Sequence, residues 1–363
     1  MTKKKVLIIY SGARVWGGIE TYLENLFKFY DRKKLELILV SLGEWALTEK
    51  LEKRKDQVIS LSGQRIRFKT IEELVKLAHV EKAALIVSQG VVANAYARLA
   101  AKKCGIPHLV TVHSDINYDY PDQVRKILYK ISDKQLRKVT KKYITVSKYL
   151  KAELMESGVG ANKISVIYNG VDATPFKDEG RKPKAKNLTT IGSIGRFHYT
   201  KGYHNLITAF AYIKDLPVKL VIYGDGDERQ ELEELVKQLG LSGQVSLPGY
   251  IEEIGVALEG IDLYIQPSLM EGFGLTVVEA MLAKKPVIVT PAGSLPELVT
   301  DGQTGLITGD TRPESIAVTL KALIENKALA QKLAEAGEIE AKKRFSVTTW
   351  IAETEKIYLE TAR

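Results

Sequence analysis

EGFGLTVVEA (Glu271–Ala280), followed closely by KKPVIVT (Lys284–Thr290), is the stretch from which the fold can be read. An apolar run at Leu263–Gln266 precedes it and another at Pro286–Val289 belongs to it, so the pattern is strand, glycine turn, helix, strand. Gly272 and Gly274 allow a tight bend just before an apolar helix expected from Leu275 to Ala283. The free amides of that helix's first turn point outward and attract phosphate. Glu271 and Glu279 stand on either side of this helix start, an arrangement that suits a sugar nucleotide.

Outward from this unit, alternation of strands and helices covers the rest of the chain. In the C-terminal half, strands are expected near Thr189–Gly195, Lys219–Tyr223, Val245–Leu247 and Gly305–Ile307, with a wholly helical pattern from Pro313 onward. The N-terminal half repeats the theme, with strands near Lys5–Tyr10, Leu35–Leu42, Val58–Leu61, Ala84–Ser88, His108–His113, Tyr143–Val146 and Ile164–Ile167. Residues 173–187, rich in Lys, Pro and Gly and without periodicity, read as a linker. The expected organisation is an α/β chain of two doubly wound, Rossmann-like domains, 1–172 and 188–346, facing across a cleft. The last segment, 347–363, is expected to pack back on the first domain.

At 363 residues and 45% hydrophobic content the chain is long enough for two cores, and this excludes a disordered protein. Its one cysteine, Cys104, cannot form an internal disulfide and reads as core filler, and the opening apolar run Val6–Tyr10 is too short for a signal peptide's core. A reducing cytoplasm is therefore the expected location. No stretch reaches the roughly 18–20 apolar residues of a membrane-spanning helix.

Charge is unevenly spread. Residues 1–171 carry 31 Lys and Arg against 17 Asp and Glu, whereas the remainder carries 22 against 27. The basic excess is densest from Asp122 to Lys151, where Val124, Ile127, Leu128, Ile131 and Leu136 recur at helical spacing. That predicts a basic amphipathic helix over Asp122–Lys138, either a solvated face or a surface for an anionic membrane or acidic acceptor. No zinc, RNP or other nucleic-acid module accompanies the charge, so nucleic acid is not an expected partner.

Several further motifs fall at strand ends. Gly17-Gly18 lies between the first strand and a helix and permits close approach to phosphate, without the GxGxxG spacing of a dinucleotide fingerprint. Arg196 and Lys201 follow the first strand of the second domain; a guanidinium fork and a compact ammonium there suit a diphosphate. His113 ends its strand, placed to hydrogen-bond a substrate hydroxyl. The turn Tyr223–Glu228 lacks a third glycine and reads as a structural turn with helix-capping aspartates, Asp225 and Asp227. No His, Cys, Asp and Glu spacing indicates a metal, and nucleophile elbows and Walker lysines are missing.

Taken together, Gly17-Gly18-Ile19-Glu20, Gly195-Arg196, Lys201-Gly202, Glu271-Gly272-Phe273-Gly274 and Glu279-Ala280 resemble the GT-B-fold retaining glycosyltransferases of family 4, over essentially the whole chain. Asn169-Gly170-Val171-Asp172 and Pro296-Glu297 are similar to that family as well. The resemblance implies transfer of a sugar from a nucleoside diphosphate donor, UDP first, to a glycan or lipid-linked acceptor hydroxyl with retained configuration and no metal or other cofactor. It implies that Arg196 and Lys201 hold the diphosphate with the backbone of Phe273, Gly274, Leu275 and Thr276. By the same resemblance Glu279 binds the ribose, Glu271 the donor sugar and His113 its far hydroxyl, Gly17 and Gly18 close over phosphate, and the base stacks near Tyr250 and Ile251. A nucleotide-sugar epimerase of similar fold and a catalytically silent sugar-nucleotide-binding subunit are the competing expectations.

Overall fold

The computed structural model describes residues 3–12, 16–43, 45–61, 68–119, 131, 133–176 and 188–362. The chain divides into two compact units, Met1–Gly170 with Val347–Arg363, and Val171–Ser346. In the first, the described elements are β1 (Lys4–Tyr10), α1 (Gly18–Phe29), β2 (Leu35–Ser41), α2 (Ala46–Lys53), β3 (Gln57–Ser60), α3 (Phe68–Val80), β4 (Leu85–Gln89), α4 (Val91–Cys104), β5 (His108–Val112), α5 (Ile116–Asp119), β6 (Thr140–Thr145), α6 (Lys148–Glu156) and β7 (Ile164–Val166). The strands form one parallel sheet in the order β3-β2-β1-β4-β5-β6-β7.

The central strand shows why both faces are covered. Val6 to Tyr10 are all buried, and the period-two alternation sends Val6, Ile8 and Tyr10 into one core and Leu7 and Ile9 into another. The second core is closed by α3 and α4 through Ile71, Leu74, Tyr96 and Ala97. Cys104 packs half-buried against it, and burial raises its thiol pKa.

The second unit runs β8 (Thr189–Ile194), α7 (Tyr203–Ala211), β9 (Val218–Tyr223), α8 (Arg229–Gln238), β10 (Val245–Gly249), α9 (Ile254–Glu259), β11 (Leu263–Gln266), α10 (Leu275–Leu282), β12 (Val287–Val289), α11 (Leu295–Leu298), β13 (Leu306–Ile307), α12 (Pro313–Glu325) and α13 (Lys327–Arg344). Its parallel sheet has the order β10-β9-β8-β11-β12-β13. The last helix, α14 (Val347–Thr361), belongs to the first unit. There Trp350 meets the Tyr22 ring edge-on at 4.9 Å, Trp350, Ile351 and Tyr358 join the β1 core, and Glu355 accepts the Asp31 amide at 2.6 Å.

Two expectations change. The helix α2 went unread, because Ala46–Lys53 is short and its polar majority hides the two core residues Leu47 and Leu51. Residues 122–130 and 132 of the expected basic helix lie outside the described residues, as does most of the linker; Arg137–Val139 is a 3₁₀ turn leading into β6, which starts at Thr140 rather than Tyr143. Among the described residues no helix is long and apolar enough to cross a membrane.

Because Trp350 is 2% exposed and shared between α14 and the β1 core, Trp350→Ala should destabilise the first unit by about 3–5 kcal/mol. Differential scanning calorimetry should show the transition of that unit fall while the second stays in place; an unshifted pair of transitions would mean that α14 contributes nothing to that core.

Candidate active site

In the second unit the strand order reverses between β8 and β11, which pair directly. Crossovers leave the two strands in opposite directions, so the loops beyond them, residues 195–202 and 267–274, border an uncovered crevice at the carboxyl edge. Thr200 C=O accepts the amides of Leu269 (2.7 Å) and Met270 (3.2 Å), stitching the loops together. Gly202, at φ +67°, could not carry a Cβ, which would fall 2.1 Å from the Pro267 oxygen. Gly293, at φ +54°, abuts Glu271 in the same way, with a Cβ 2.2 Å from its carbonyl oxygen.

These backbone approaches bring the chemistry together. Lys201 Nζ lies 2.7 Å from Glu271 Oε2, both side chains largely buried. Ser268 Oγ donates to the same carboxylate oxygen at 3.1 Å and accepts from Gln266 Nε2 at 2.9 Å. Tyr264 OH donates to Gln266 Oε1 at 2.7 Å and lies 2.8 Å from Thr276 Oγ1, so the ion pair rests on a buried polar network reaching the first turn of α10. Ser294 Oγ donates to the carbonyls of Glu271 (3.1 Å) and Phe273 (3.0 Å).

Gly274, at φ +98°, starts α10, and the Leu275 and Thr276 amides find no acceptor among the described residues. That is an anion-attracting helix end. Arg196 is exposed in the loop after β8 with no carboxylate partner among the described residues, and its charge together with Lys201 helps lower the pKa of His198, after the larger effect of burial. Phe273 has its ring in the core, edge-on to Phe345 at 5.7 Å. Glu279 is buried with no countercharge among the described residues, and desolvation pushes its pKa up to about 7. Tyr250 and Ile251 follow β10 directly, Tyr250 half exposed.

The first unit reverses its strand order between β1 and β4. At this point Gly90, at φ +92°, starts α4 beside Ser11, and the Trp45 ring covers Gly12, where a Cβ would come within 2.5 Å. Gly17 and Gly18 open α1 here, but Glu20 Oε2 accepts the Gly17 amide at 2.9 Å and its other oxygen takes the Tyr10 hydroxyl. The turn thus holds its own carboxylate, and fewer of its amides are free than the glycine pair implies. His113 lies one residue past β5; its Nε2 bonds Gln89 Oε1, its ring meets Tyr22 edge-on at 4.6 Å, and burial lowers its pKa to about 3. It is therefore neutral at physiological pH, and the Gln89 bond leaves Nδ1 as its acceptor.

One reading of the sequence is corrected. Asp225 does not cap α8; it binds Arg229 Nε at 2.8 Å, and Arg229 lies over the Phe197 ring. Gly224 and Gly226 are needed because Cβ atoms there would lie 1.9 Å from Gly195 O and 2.3 Å from Phe197 O. A metal-compatible trio does exist among the described residues: His204, Glu228 and Glu231 have ligand atoms within 4.8 Å of one another, brought together from α7 and α8. His204 is 24 positions from Glu228, beyond any local ligand spacing.

A family model for "Glycosyl transferases group 1" matches residues 176–340, and one for "Glycosyltransferase Family 4" matches residues 16–174. An uncharacterized glycosyltransferase of Methanocaldococcus jannaschii is 30% identical over 356 residues, 95% of each chain. The chain belongs to the group 1 glycosyltransferases. This glycosyltransferase is also 29% identical to the lipopolysaccharide core biosynthesis glycosyltransferase LpsE of Rhizobium meliloti over 186 residues, 51% of this chain and 54% of that one. The fold, GT-B, is shared with HepE of Anabaena, solved with UDP and glucose, at TM-score 0.86 and 23% identity over 98% of this chain and 100% of that one.

Sequence reasoning did not single out Gln89, Gln266, Ser268 or Ser294, the groups that orient His113 and Glu271. Each sits at or just beyond the carboxyl end of a strand, or at a turn packed against one. That position is the signal that could have found them.

The Glu279 carboxyl binds its proton more tightly folded than unfolded, so its contribution is full below about pH 4.5 and is lost as pH rises through about 7. Glu279→Gln removes that loss. In urea titrations the variant should gain on the parent by about 3 kcal/mol between pH 4.5 and pH 8, a gap independent of pH being the contrary result.

Proposed function

We propose that this glycosyltransferase moves a hexosyl group from a nucleoside diphosphate sugar, UDP-linked, to an acceptor hydroxyl with retention of configuration and without a metal ion, in cell-envelope glycan or glycolipid assembly on the cytoplasmic side. The observation that carries the donor half is the Lys201–Glu271 pair beside the unbonded amides that start α10. UDP in the HepE complex and the lipopolysaccharide role of LpsE support the donor and the pathway class.

In this reading Arg196 and Lys201 neutralise the diphosphate, with the amides of Gly274, Leu275 and Thr276 adding fixed donors that stabilise charge on the leaving phosphate. Glu271 orients the donor sugar while it steadies Lys201. Glu279 accepts from the ribose hydroxyls, and Tyr250 and Ile251 flank the base. Gly18 admits phosphate at the α1 turn, and His113 Nδ1 accepts from a sugar hydroxyl. Glu271 is engaged by Lys201 and Ser268, which argues against its serving as a nucleophile. Front-face substitution follows: the bond from the anomeric carbon to the phosphate oxygen breaks, the acceptor oxygen bonds that carbon on the same face, and its proton passes to the departing phosphate.

Thermal melting with UDP- and GDP-sugars, with and without EDTA, tests the donor. UDP-sugars at 100 times their Kd should add about 2.7 kcal/mol of stability, undiminished by EDTA. Arg196 is exposed, so Arg196→Ala should lower kcat about 100-fold or more with the melting temperature unchanged. Lys201→Ala should also lose turnover, but with some stability, since it strands the Glu271 carboxylate. Strict metal dependence, an isomerised donor released without acceptor, or a trapped glycosyl-enzyme would each contradict this reading.

A further inference from the structure

Part of the basic excess of the first half lies along one edge of the fold. Every strand of the first sheet is entered past a lysine: Lys4 opens β1, and Lys33, Lys55, Lys82, Lys103, Lys138 and Lys163 precede β2 to β7 in turn. All are exposed except Lys163, which is partly so. Because the strands are parallel, these residues share one edge, the amino edge, which extends about 29 Å across seven strands.

Lys5 pairs with Glu36 and Glu81, and Lys34 with Asp31 and Glu355, but the other lysines of this edge make no ion pair among the described residues. Lys4, Lys33, Lys55, Lys82, Lys103 and Lys138 have no carboxylate partner among the described residues, and Lys163 and its neighbours Lys141 and Lys142 rest only on the carbonyl oxygens of Thr140, Thr361 and Asn162. The described arginines of the same edge are all occupied, Arg32 and Arg54 by Asp56 and Arg137 by Asp133. Lysines at helix C-termini are expected from the helix dipole alone. The second unit supplies the internal comparison: its β12 is entered past a lysine, Lys285, while β11 is entered past Asp262, β10 past Gln244 and β13 past Gly305. Dipole compensation would have treated both sheets alike.

Between β5 and β6 the edge opens into a groove of about 440 Å³, where Lys102, Lys138, Lys141 and Lys163 surround apolar Ile106 and Val139. We propose that this amino edge docks the enzyme on an anionic lipid bilayer, with the groove receiving a phosphorylated headgroup. Seven point charges spread over about 29 Å cannot converge on one small anion, but they match a charged plane. Free lysines with every arginine engaged also suit a diffuse surface better than nucleic acid, whose recognition favours the arginine fork. His113 and the α1 turn, at the opposite edge about 17 Å along β5, then face away from the lipid.

Vesicle co-sedimentation tests this with the full-length enzyme. It should bind phosphatidylcholine vesicles containing roughly 30% phosphatidylglycerol but not phosphatidylcholine alone, and release as salt rises. Lys33→Glu, Lys102→Glu and Lys138→Glu together should weaken that binding by about 100-fold, with melting temperature and donor-induced stabilisation unchanged. The equal reversal Lys327→Glu, Lys332→Glu and Lys343→Glu on α13 should alter it by no more than about twofold. Absence of binding, equal loss in both triples, or tighter binding to duplex DNA than to the anionic vesicles would overturn the proposal. Transfer activity plays no part in the readout, so failure of the proposed reaction would leave this result intact.

Discussion

The reversal of strand order between β8 and β11 is the constraint on which the C-terminal site depends. It leaves a crevice that no crossover covers, and two backbone approaches then decide what lines it. Gly202 lies against the Pro267 carbonyl and Gly293 against Glu271, so any side chain at either position would drive the two loops apart. Lys201 and Glu271 are carried by the residues that these approaches lock. Their meeting is therefore fixed by the backbone, and the ion pair does not have to supply the energy that orders the loops. The β1 and β4 reversal of the first unit uses the same device, Gly90 beside Ser11.

A shared electrostatic theme follows. Each reversal holds a carboxylate where an anionic ligand would seek positive charge: Glu271 on Lys201, and Glu20 on the Gly17 amide. Partly buried cations and helix ends left without any anion would be costly, and an internal carboxylate offsets that cost in the ligand-free protein. Glu279, only eight residues after Glu271, has no such partner, and burial pushes its pKa up to about 7. The two glutamates thus differ through environment, a lysine and a serine for one and apolar helix packing for the other.

That difference explains what could be read from the sequence. Strand and helix positions were legible because parallel strands buried on both faces tend to be continuous apolar runs, and β1, with Val6–Tyr10 wholly buried and Ser11-Gly12 after it, shows this directly. Arg196, Lys201, Glu271 and the α10 start were legible because they lie close to strand ends along the chain. The polar network beneath them was not, since Gln266, Ser268 and Ser294 look like ordinary polar residues until folding places them against Glu271. Asp225 was misread for a related reason: capping and salt bridging to Arg229 have the same local pattern, and only the position of Phe197 under the guanidinium distinguishes them.

Distance separates the two roles of positive charge in this chain. The lysines of the first sheet stand about 17 Å from that sheet's carboxyl edge, beyond the Debye length of about 8 Å at physiological salt. They add little to the potential at His113, which is itself neutral. In the second unit the order is reversed: the half is acidic overall, yet Arg196 and Lys201 are placed at the carboxyl edge. If the basic excess served to attract the donor, screening would favour its being concentrated there. The lysines that precede all seven strands lie instead at a remote edge, where only some basic groups are ion-paired, and this suits a separate anionic partner.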